Sequence, residues 1–168
     1  MERREYHTLD KSTWGEGPWM NEPDKIQWTD EATGLPCLIL RADHPGTLCG
    51  YVGVAEGHPY FRVDDDSDVL IDGIDVHGGL TFSGFCQASN DEAKGVCHAP
   101  GSGEPDRVWW LGFDCAHYLD KGPTGLFLGH CEGEYRDIPY VKAEVEKLAA
   151  QLVTAKFRAV KAKMEEAG

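Results

Sequence analysis

The sequence lacks the features that would place the protein in a membrane or on a nucleic acid. No apolar run approaches the roughly 20 residues that cross a bilayer, and polar residues rather than an apolar signal core follow the first five residues. Only 16 basic residues stand against 29 acidic ones, and the resulting net charge of −13 repels nucleic-acid phosphates and anionic lipids. We therefore expect a cytoplasmic protein with no membrane partner and no general affinity for DNA or RNA.

The six cysteines include no Cys-x-x-Cys pair, so the strongest signal of a zinc ribbon is missing. In a reducing compartment we expect most of them to be free thiols, several of them buried as small apolar residues. The alternative is a structural zinc site built from Cys86, Cys97, His98, His130 and Cys131, although these spacings match no established zinc module.

Length and composition predict one α+β domain, because the chain has 168 residues, no internal repeat and no interior linker. Residues 1–36 hold three of the five tryptophans among Gly, Pro and charged residues, which favours an arm that wraps the domain. Residues 37–134 would form a sheet core with its loops. Residues 137–166 would form a long C-terminal helix packed on a mostly antiparallel sheet of about five or six short strands.

Short apolar runs bounded by turn residues predict the strands. These runs are residues 37–41, 48–54, 69–72, 74–77, 79–82 and 108–114. The first two are joined by a tight turn at 43–46, which predicts a hairpin. After Asp137, a good N-cap, apolar residues recur at helical spacing and indicate the packing face of the C-terminal helix. They are Val141, Val145, Leu148, Leu152, Phe157 and Val160.

Two stretches end abruptly in side chains that can carry chemistry. The apolar and aromatic run at 108–113 is followed by Asp114, Cys115 and His117, and Asp75 and His77 come just before paired glycines. A buried strand that delivers polar groups at its end is a common way to build a site. We expect the two strand ends to form the walls of one pocket, with His58 at the end of another strand as an auxiliary.

Acid–base catalysis is the first interpretation of this set. His77 or His117 could act as a general base, with Asp114 or Asp75 holding its tautomer, in hydrolysis or phosphoester cleavage. Cys115 could act as a nucleophile if one of the histidines lowers the pKa of its thiol. A buried, inert Cys115 is the alternative.

A divalent metal ion such as zinc is the second interpretation. Its ligands would be His77, Asp114 and His117, with an open position for water whose pKa the metal would lower. Asp75 or Asp120 could orient an imidazole ligand through its other nitrogen.

The third interpretation is binding without reaction. A tryptophan-lined cavity can hold a nucleotide-like ligand by stacking and hydrogen bonds, and the backbone N–H groups of paired glycines can face an anion. The residues of such a site would be His58, Asp75, Gly78, Gly79, Thr81 and Trp110.

Several phrases of the sequence occur together over nearly the whole chain. They are Trp14-Gly-x-Gly-Pro-Trp19, Glu22-Pro-Asp-Lys25, Leu48-Cys-Gly-Tyr-Val-Gly-Val54 with Gly57-His-Pro59, Val76-His-Gly-Gly-Leu-Thr81, Trp109-Trp-x-Gly-Phe-Asp-Cys-Ala-His117, and Tyr135-Arg-Asp with Tyr140-Val141. In these phrases the chain resembles an uncharacterised family of small proteins encoded by bacteriophages and bacteria. The resemblance implies a phage setting, hence the host-cell cytoplasm, and a role against host defences. It implies no chemistry, since the family has no assigned activity.

The leading hypothesis is a small hydrolase-like enzyme that acts on a small polar substrate such as a nucleotide, by His/Asp acid–base or metal-assisted chemistry. The alternative is a non-catalytic protein that sequesters a small phosphorylated signal. A weaker alternative is an acidic interaction protein that binds a host factor. The sequence indicates no oligomeric state.

Overall fold

A computed structural model describes residues 2–86, 92–124 and 133–166. In these residues the chain forms a six-stranded antiparallel sheet with one long helix packed on it, which confirms the predicted α+β class. The strands are β1 (Arg4–Tyr6), β2 (Lys25–Thr29), β3 (Pro36–Arg41), β4 (Leu48–Ala55), β5 (Phe82–Phe85) and β6 (Val108–Asp114), in the order β1-β2-β3-β4-β6-β5. A 3₁₀ turn spans Pro18–Met20, and the helices are α1 (Asp68–Ile71) and α2 (Ile138–Glu166).

The predicted hairpin is present, because β3 and β4 pair antiparallel across the turn at residues 43–46. Strand β4 then pairs with β6 over the whole length of β6, from Cys49 opposite Asp114 to Ala55 opposite Val108. The observed bounds of β6 are the predicted ones, since residues 108–113 form a continuous and mostly buried apolar run that ends in Asp114.

The sheet separates two apolar clusters. One face carries Ile26, Ile39, Val52, Leu111 and Phe113 against α2. The other face carries Leu38, Tyr51, Val108 and Trp110, together with Val96 from the segment between β5 and β6. Side chains alternate between the faces of a strand, so neighbours on β6 serve different cores.

Helix α2 divides into two halves. The first half buries Val141, Val145, Leu148, Ala149 and Leu152 against the sheet, as the periodicity predicts. The second half, residues 153–166, extends past the sheet and has no buried residue. The prediction that Phe157 and Val160 continue the packing face is therefore wrong, since both side chains are exposed. Asp137 caps the helix as expected, because its Oδ1 accepts the backbone N–H of Tyr140 at 3.0 Å.

The prediction of strands over residues 69–82 is wrong. Residues 68–71 form the single turn α1, with Leu70 buried and Val69 and Ile71 exposed, and residues 72–81 form a loop. A regular strand cannot continue there because Gly78 and Gly79 both have positive φ. The extended backbone begins only at Phe82.

The arm is more regular than predicted, since it contributes the edge strand β1 and its neighbour β2. Trp28 lies in the core on β2, and Trp19 packs edge-on against Tyr135 with ring centroids 5.1 Å apart. The arm is fastened by the buried guanidinium of Arg41, which bonds to the carboxylates of Asp24 and Glu22 at 3.1 and 2.8 Å.

Cys86 and Cys97 form a disulfide, whereas Cys37, Cys49 and Cys115 are free. A disulfide removes both sulfurs as zinc ligands, and the His98 ring stacks edge-on against Trp110. His130 and Cys131, the other proposed zinc ligands, lie outside the described residues. None of the described helices is both long and apolar enough to cross a membrane.

Candidate active site

His77 connects three elements of the fold. Its Nε2 atom lies 2.7 Å from Oδ2 of Asp120, and its Nδ1 atom lies 2.9 Å from the hydroxyl oxygen of Tyr140 on α2. Its backbone N–H donates to the carboxylate of Glu144, one helical turn further along α2, at 2.8 Å. The loop that carries His77 is therefore held against the first turns of α2 by both main chain and side chain.

Asp120 is a buried carboxylate with three donors. It accepts from the His77 ring, from the backbone N–H of His117 at 3.0 Å and from Nε of Arg136 at 3.0 Å. Burial alone would raise the pKa of Asp120, but these hydrogen bonds outweigh it and hold the pKa below its usual value. The carboxylate is thus ionised and can only accept.

The ionised carboxylate fixes the tautomer of His77. An acceptor at Asp120 requires the proton on Nε2 of the imidazole, so Nδ1 is the acceptor and the Tyr140 hydroxyl donates to it. The three groups form a carboxylate–imidazole–hydroxyl array, the same order of groups as in the triads that activate a hydroxyl.

The His117 ring lies beside this array. Its centroid is 5.4 Å from that of His77, so the two stretches singled out in the sequence meet at one place. Its Nε2 atom is buried and has no hydrogen-bond partner, although 36% of the side chain is exposed. The nearest carboxylate oxygen, Oδ1 of Asp114, is 3.8 Å away and is already bonded to the backbone N–H of Ala116.

Gly78 makes this close approach possible. A Cβ built on residue 78 would overlap Nε2 of His117, whereas one on Gly79 would meet nothing within 4 Å. Both residues have positive φ, of 67° and 84°. The pair of glycines therefore has two separate roles: both shape the loop, and Gly78 also admits the imidazole.

Tyr140 and Arg136 are contributed by the start of α2. The Arg136 guanidinium lies over the Tyr140 ring, 4.8 Å from its centroid, while it also bonds to Asp120. Burial raises the pKa of the Tyr140 hydroxyl, and the Arg136 charge opposes that effect. The phenol is therefore neutral at physiological pH and donates its proton to His77.

Cys115 has the environment of a structural thiol. It is 1% exposed and belongs to the core cluster beneath α2. Burial, with smaller contributions from Asp120 and other acidic neighbours, raises its pKa well above the usual value. A nucleophilic cysteine needs a lowered pKa, so the structure favours the alternative of an inert, buried Cys115.

The metal hypothesis would require a rearrangement. Across the parts of the chain that the structure describes, no group of three or more His, Cys, Asp or Glu side chains is arranged to hold a metal ion. Both ring nitrogens of His77 are already engaged, so ligation by His77, Asp114 and His117 would displace either Asp120 or Tyr140 from the His77 ring. The metal site stays a prediction.

Other residues named from the sequence lie elsewhere. His58 accepts the N–H of Tyr60 on Nδ1 and bonds through Nε2 to the carbonyl of Leu152, which is 12 residues, or about 18 Å of helix, beyond Tyr140. Asp75 is 86% exposed and pairs with Lys147.

Trp110 and Thr81 also fall away from the array. Trp110 is fully buried in the cluster on the other face of the sheet from α2, so it cannot line a cavity beside His77. Thr81 is exposed, and its backbone N–H donates to the carbonyl of Gly112 at 2.9 Å. Of the residues named from the sequence, the site groups His77, Gly78, Asp114, His117 and Asp120, together with the inert Cys115.

Sequence reasoning did not find Tyr140, Arg136 or Glu144 as members of the site. Tyr140 follows the capping residue Asp137 by three positions, and that spacing places it on the first turn of α2. The sequence gives no sign that this turn faces the loop at residues 72–81. Asp120, considered only as an orienting group for a metal ligand, is the carboxylate that orients His77.

No family model matches this chain, and neither a curated protein nor a solved structure shows significant similarity to it.

Proposed function

We propose that the protein is a small hydrolase-like enzyme in which Asp120, His77 and Tyr140 transfer a proton to and from a small polar substrate. The observation that carries this proposal is the array itself: one imidazole is bonded at 2.7 Å to an ionised carboxylate and at 2.9 Å to a hydroxyl. A histidine that only packs against its neighbours would not need a hydrogen bond to a buried, charged carboxylate.

The array supports a defined proton path. Tyr140 passes its hydroxyl proton to Nδ1 of His77 as it takes a proton from an attacking water, and the Asp120 carboxylate stabilises the imidazolium that forms. The proton then returns through Tyr140 to the leaving group, so the array ends in its starting state. Asp120 and Arg136 are positioning residues, since neither offers a free group to a substrate.

His117 is the second group of the proposed site. Its Nε2 atom, which has no hydrogen-bond partner among the described residues, lies over Gly78 and 3.8 Å from Oδ1 of Asp114. Leu119, two residues after His117 in the chain, is 62% exposed and offers an apolar surface for part of a substrate. The resemblance to phage-encoded proteins favours a nucleotide signal as the substrate class, since such a signal combines an aromatic base with a hydrolysable phosphoester.

The decisive experiment incubates the purified protein with nucleoside phosphates and cyclic dinucleotides and separates the products by chromatography. The proposal expects conversion of at least one compound, with turnover reduced about 10²–10⁴-fold in both His77→Gln and Tyr140→Phe. Turnover that survives both substitutions would contradict the array as the catalytic group.

Each alternative gives a different result in the same experiment. Recovery of an unchanged ligand after denaturation would identify a binder that sequesters the signal. Co-purification of a host protein, with neither conversion nor capture, would favour the interaction protein. A metal-dependent enzyme would contain stoichiometric zinc or another divalent metal by elemental analysis and would lose turnover on chelation.

A further inference from the structure

The second half of α2 has an apolar stripe that its own sheet does not cover. Phe157, Val160 and Met164 are 71%, 50% and 72% exposed. Their spacing of three and four residues places them on one side of the helix. Three large apolar side chains in a row on a projecting helix are an unusual feature on the surface of a monomer.

The stripe is not a continuation of the packing face. Ala149 and Leu152 are buried against the sheet. Lys156 and Ala159 follow them by seven residues, about two turns, and so lie on nearly the same side of the helix. The stripe is therefore rotated around the helix by roughly 100° from the face that packs on the sheet. The apolar face of α2 thus points in a different direction once the helix has left the sheet, where it is available to a partner other than that sheet.

The stripe also borders a groove. A cavity of about 360 Å³ lies between Phe157 and Val160 on α2 and Leu35 and Ala55 on the body of the domain, with Glu56 at its edge. The groove has one wall from the projecting helix and one from the strand ends. A helix side chain from another molecule could enter it without rearrangement of either wall.

Charge distinguishes the possible occupants. Residues 153–166 hold four of the 16 basic residues (Lys156, Arg158, Lys161 and Lys163) and two of the 29 acidic ones (Glu165 and Glu166). This half of α2 therefore has a net charge of +2, and the rest of the chain has a net charge of −15. The projecting half of α2 is thus basic and the body is strongly acidic. An anionic membrane would attract the helix but repel the body, whereas a second copy of this chain offers the helix an acidic surface.

We propose that two copies of this chain associate through residues 153–164, each projecting helix lying along the groove of its partner. A two-fold arrangement lets each basic helix approach the other acidic body while the stripes meet across the axis. The surface is small for a permanent dimer, so the expected dissociation constant is on the order of 10 µM. This inference is independent of the proposed function.

Sedimentation velocity over a range of concentrations tests the proposal, with Phe157→Glu and Ala162→Glu as a matched pair. Both substitutions add one negative charge to an exposed position of the same helix, but Ala162 lies on the side opposite the stripe. We expect a reversible dimer that Phe157→Glu weakens at least tenfold and Ala162→Glu leaves within about twofold. Circular dichroism verifies that both variants keep the helix.

Three results would overturn the proposal. The first is a wild-type chain that stays monomeric up to about 300 µM, well above the expected dissociation constant. The second is a dimer that Phe157→Glu does not weaken. The third is a monomer that binds vesicles of phosphatidylserine and phosphatidylcholine through the stripe, which would assign this face to a membrane surface.

Discussion

Nδ1 of His77 lies 2.9 Å from the hydroxyl oxygen of Tyr140, although 63 residues separate them in the chain. The same imidazole bonds on its other side to a carboxylate that three donors keep ionised. A histidine so held has one tautomer and one orientation. The following predictions test that arrangement and the backbone that supports it.

Replacement of Tyr140 by phenylalanine removes the hydroxyl and keeps the ring. We expect a stability loss of about 1 kcal/mol, the net worth of one hydrogen bond, and a change in the ¹⁵N chemical shift of His77 Nδ1 as that nitrogen loses its donor. Tyr60→Phe is the control, because Tyr60 lies away from the array. An unchanged His77 spectrum in Tyr140→Phe would show that the hydroxyl does not bond to the imidazole in solution.

Gly78 and Gly79 form a matched pair of positions. Gly79→Ala has only the strain of a positive φ and should cost about 1 kcal/mol, whereas Gly78→Ala also forces His117 to move and should cost at least 1 kcal/mol more. Urea denaturation measures both.

A double-mutant cycle identifies the cause of that difference. His117→Ala should recover most of the extra loss in Gly78→Ala and none of the loss in Gly79→Ala, because only the first alanine clashes with the imidazole. Equal losses of stability in Gly78→Ala and Gly79→Ala would contradict the close contact between Gly78 and the His117 ring.

Asp120→Asn leaves Arg136 and His77 without their shared buried anion. We expect a loss of about 3 kcal/mol at pH 7, whereas Asp114→Asn, at a carboxylate that is 31% exposed, should cost less than about 1 kcal/mol.

The effect of Asp120→Asn should also depend on pH. Since the pKa of Asp120 is lowered on folding, its contribution is complete above the unfolded pKa of about 3.9 and is lost as the pH falls through the folded pKa. The gap in unfolding free energy between wild type and variant should therefore narrow as the pH falls below about 3.9. A constant gap would contradict the ionised carboxylate.

His58 predicts a second dependence on pH. Burial lowers the pKa of His58, so the folded protein keeps it neutral and the unfolded chain takes up a proton first. The contribution of His58 to the free energy of unfolding is therefore fully present above the unfolded pKa of about 6.5. It declines as the pH falls towards the folded pKa, by at most about 1.4 kcal/mol per pH unit.

The matched variants for this effect are His58→Gln and His44→Gln. His58→Gln should flatten the dependence of the unfolding free energy between about pH 7 and pH 5. His44→Gln is the control for the substitution itself, since His44 is an exposed residue of the β3–β4 turn. Any dependence on pH that remains in the unfolding free energy of His58→Gln should come from His98, because burial lowers the pKa of that residue as well.

The elements that the sequence predicted well are those with a local pattern. Strand β6 is a continuous apolar run, and α2 has Asp137 as its cap and an apolar residue at each turn of its packing face. Strand β2 was missed because Lys25 and Gln27 stand where apolar residues are expected. Lys25 is buried, and its ammonium group donates to the carbonyls of Glu92 and Cys97, which lie far along the chain.

The candidate site was predictable only in part, for the same reason. His77 and His117 stand out because each adjoins a glycine or a strand end, and they do lie side by side. Tyr140 has no such mark, since its role depends on where α2 crosses the sheet. Trp110 lies on the face of the sheet away from α2, because side chains alternate between the two faces along β6. The sequence of one strand does not show which of its two faces points towards the helix.

The carboxylate of Glu22 accepts the backbone N–H of Ile138, 116 residues later, and also bonds to Arg41 and to the hydroxyl of Tyr135. The first turn of the helix that carries Tyr140 is therefore anchored to a side chain of the N-terminal arm. Closing so large a loop is entropically slow, so the turn bearing Tyr140 should gain protection from hydrogen exchange late in refolding, well after the β3–β4 hairpin. A chain lacking residues 1–24 would keep the sequence of its array yet leave that turn frayed.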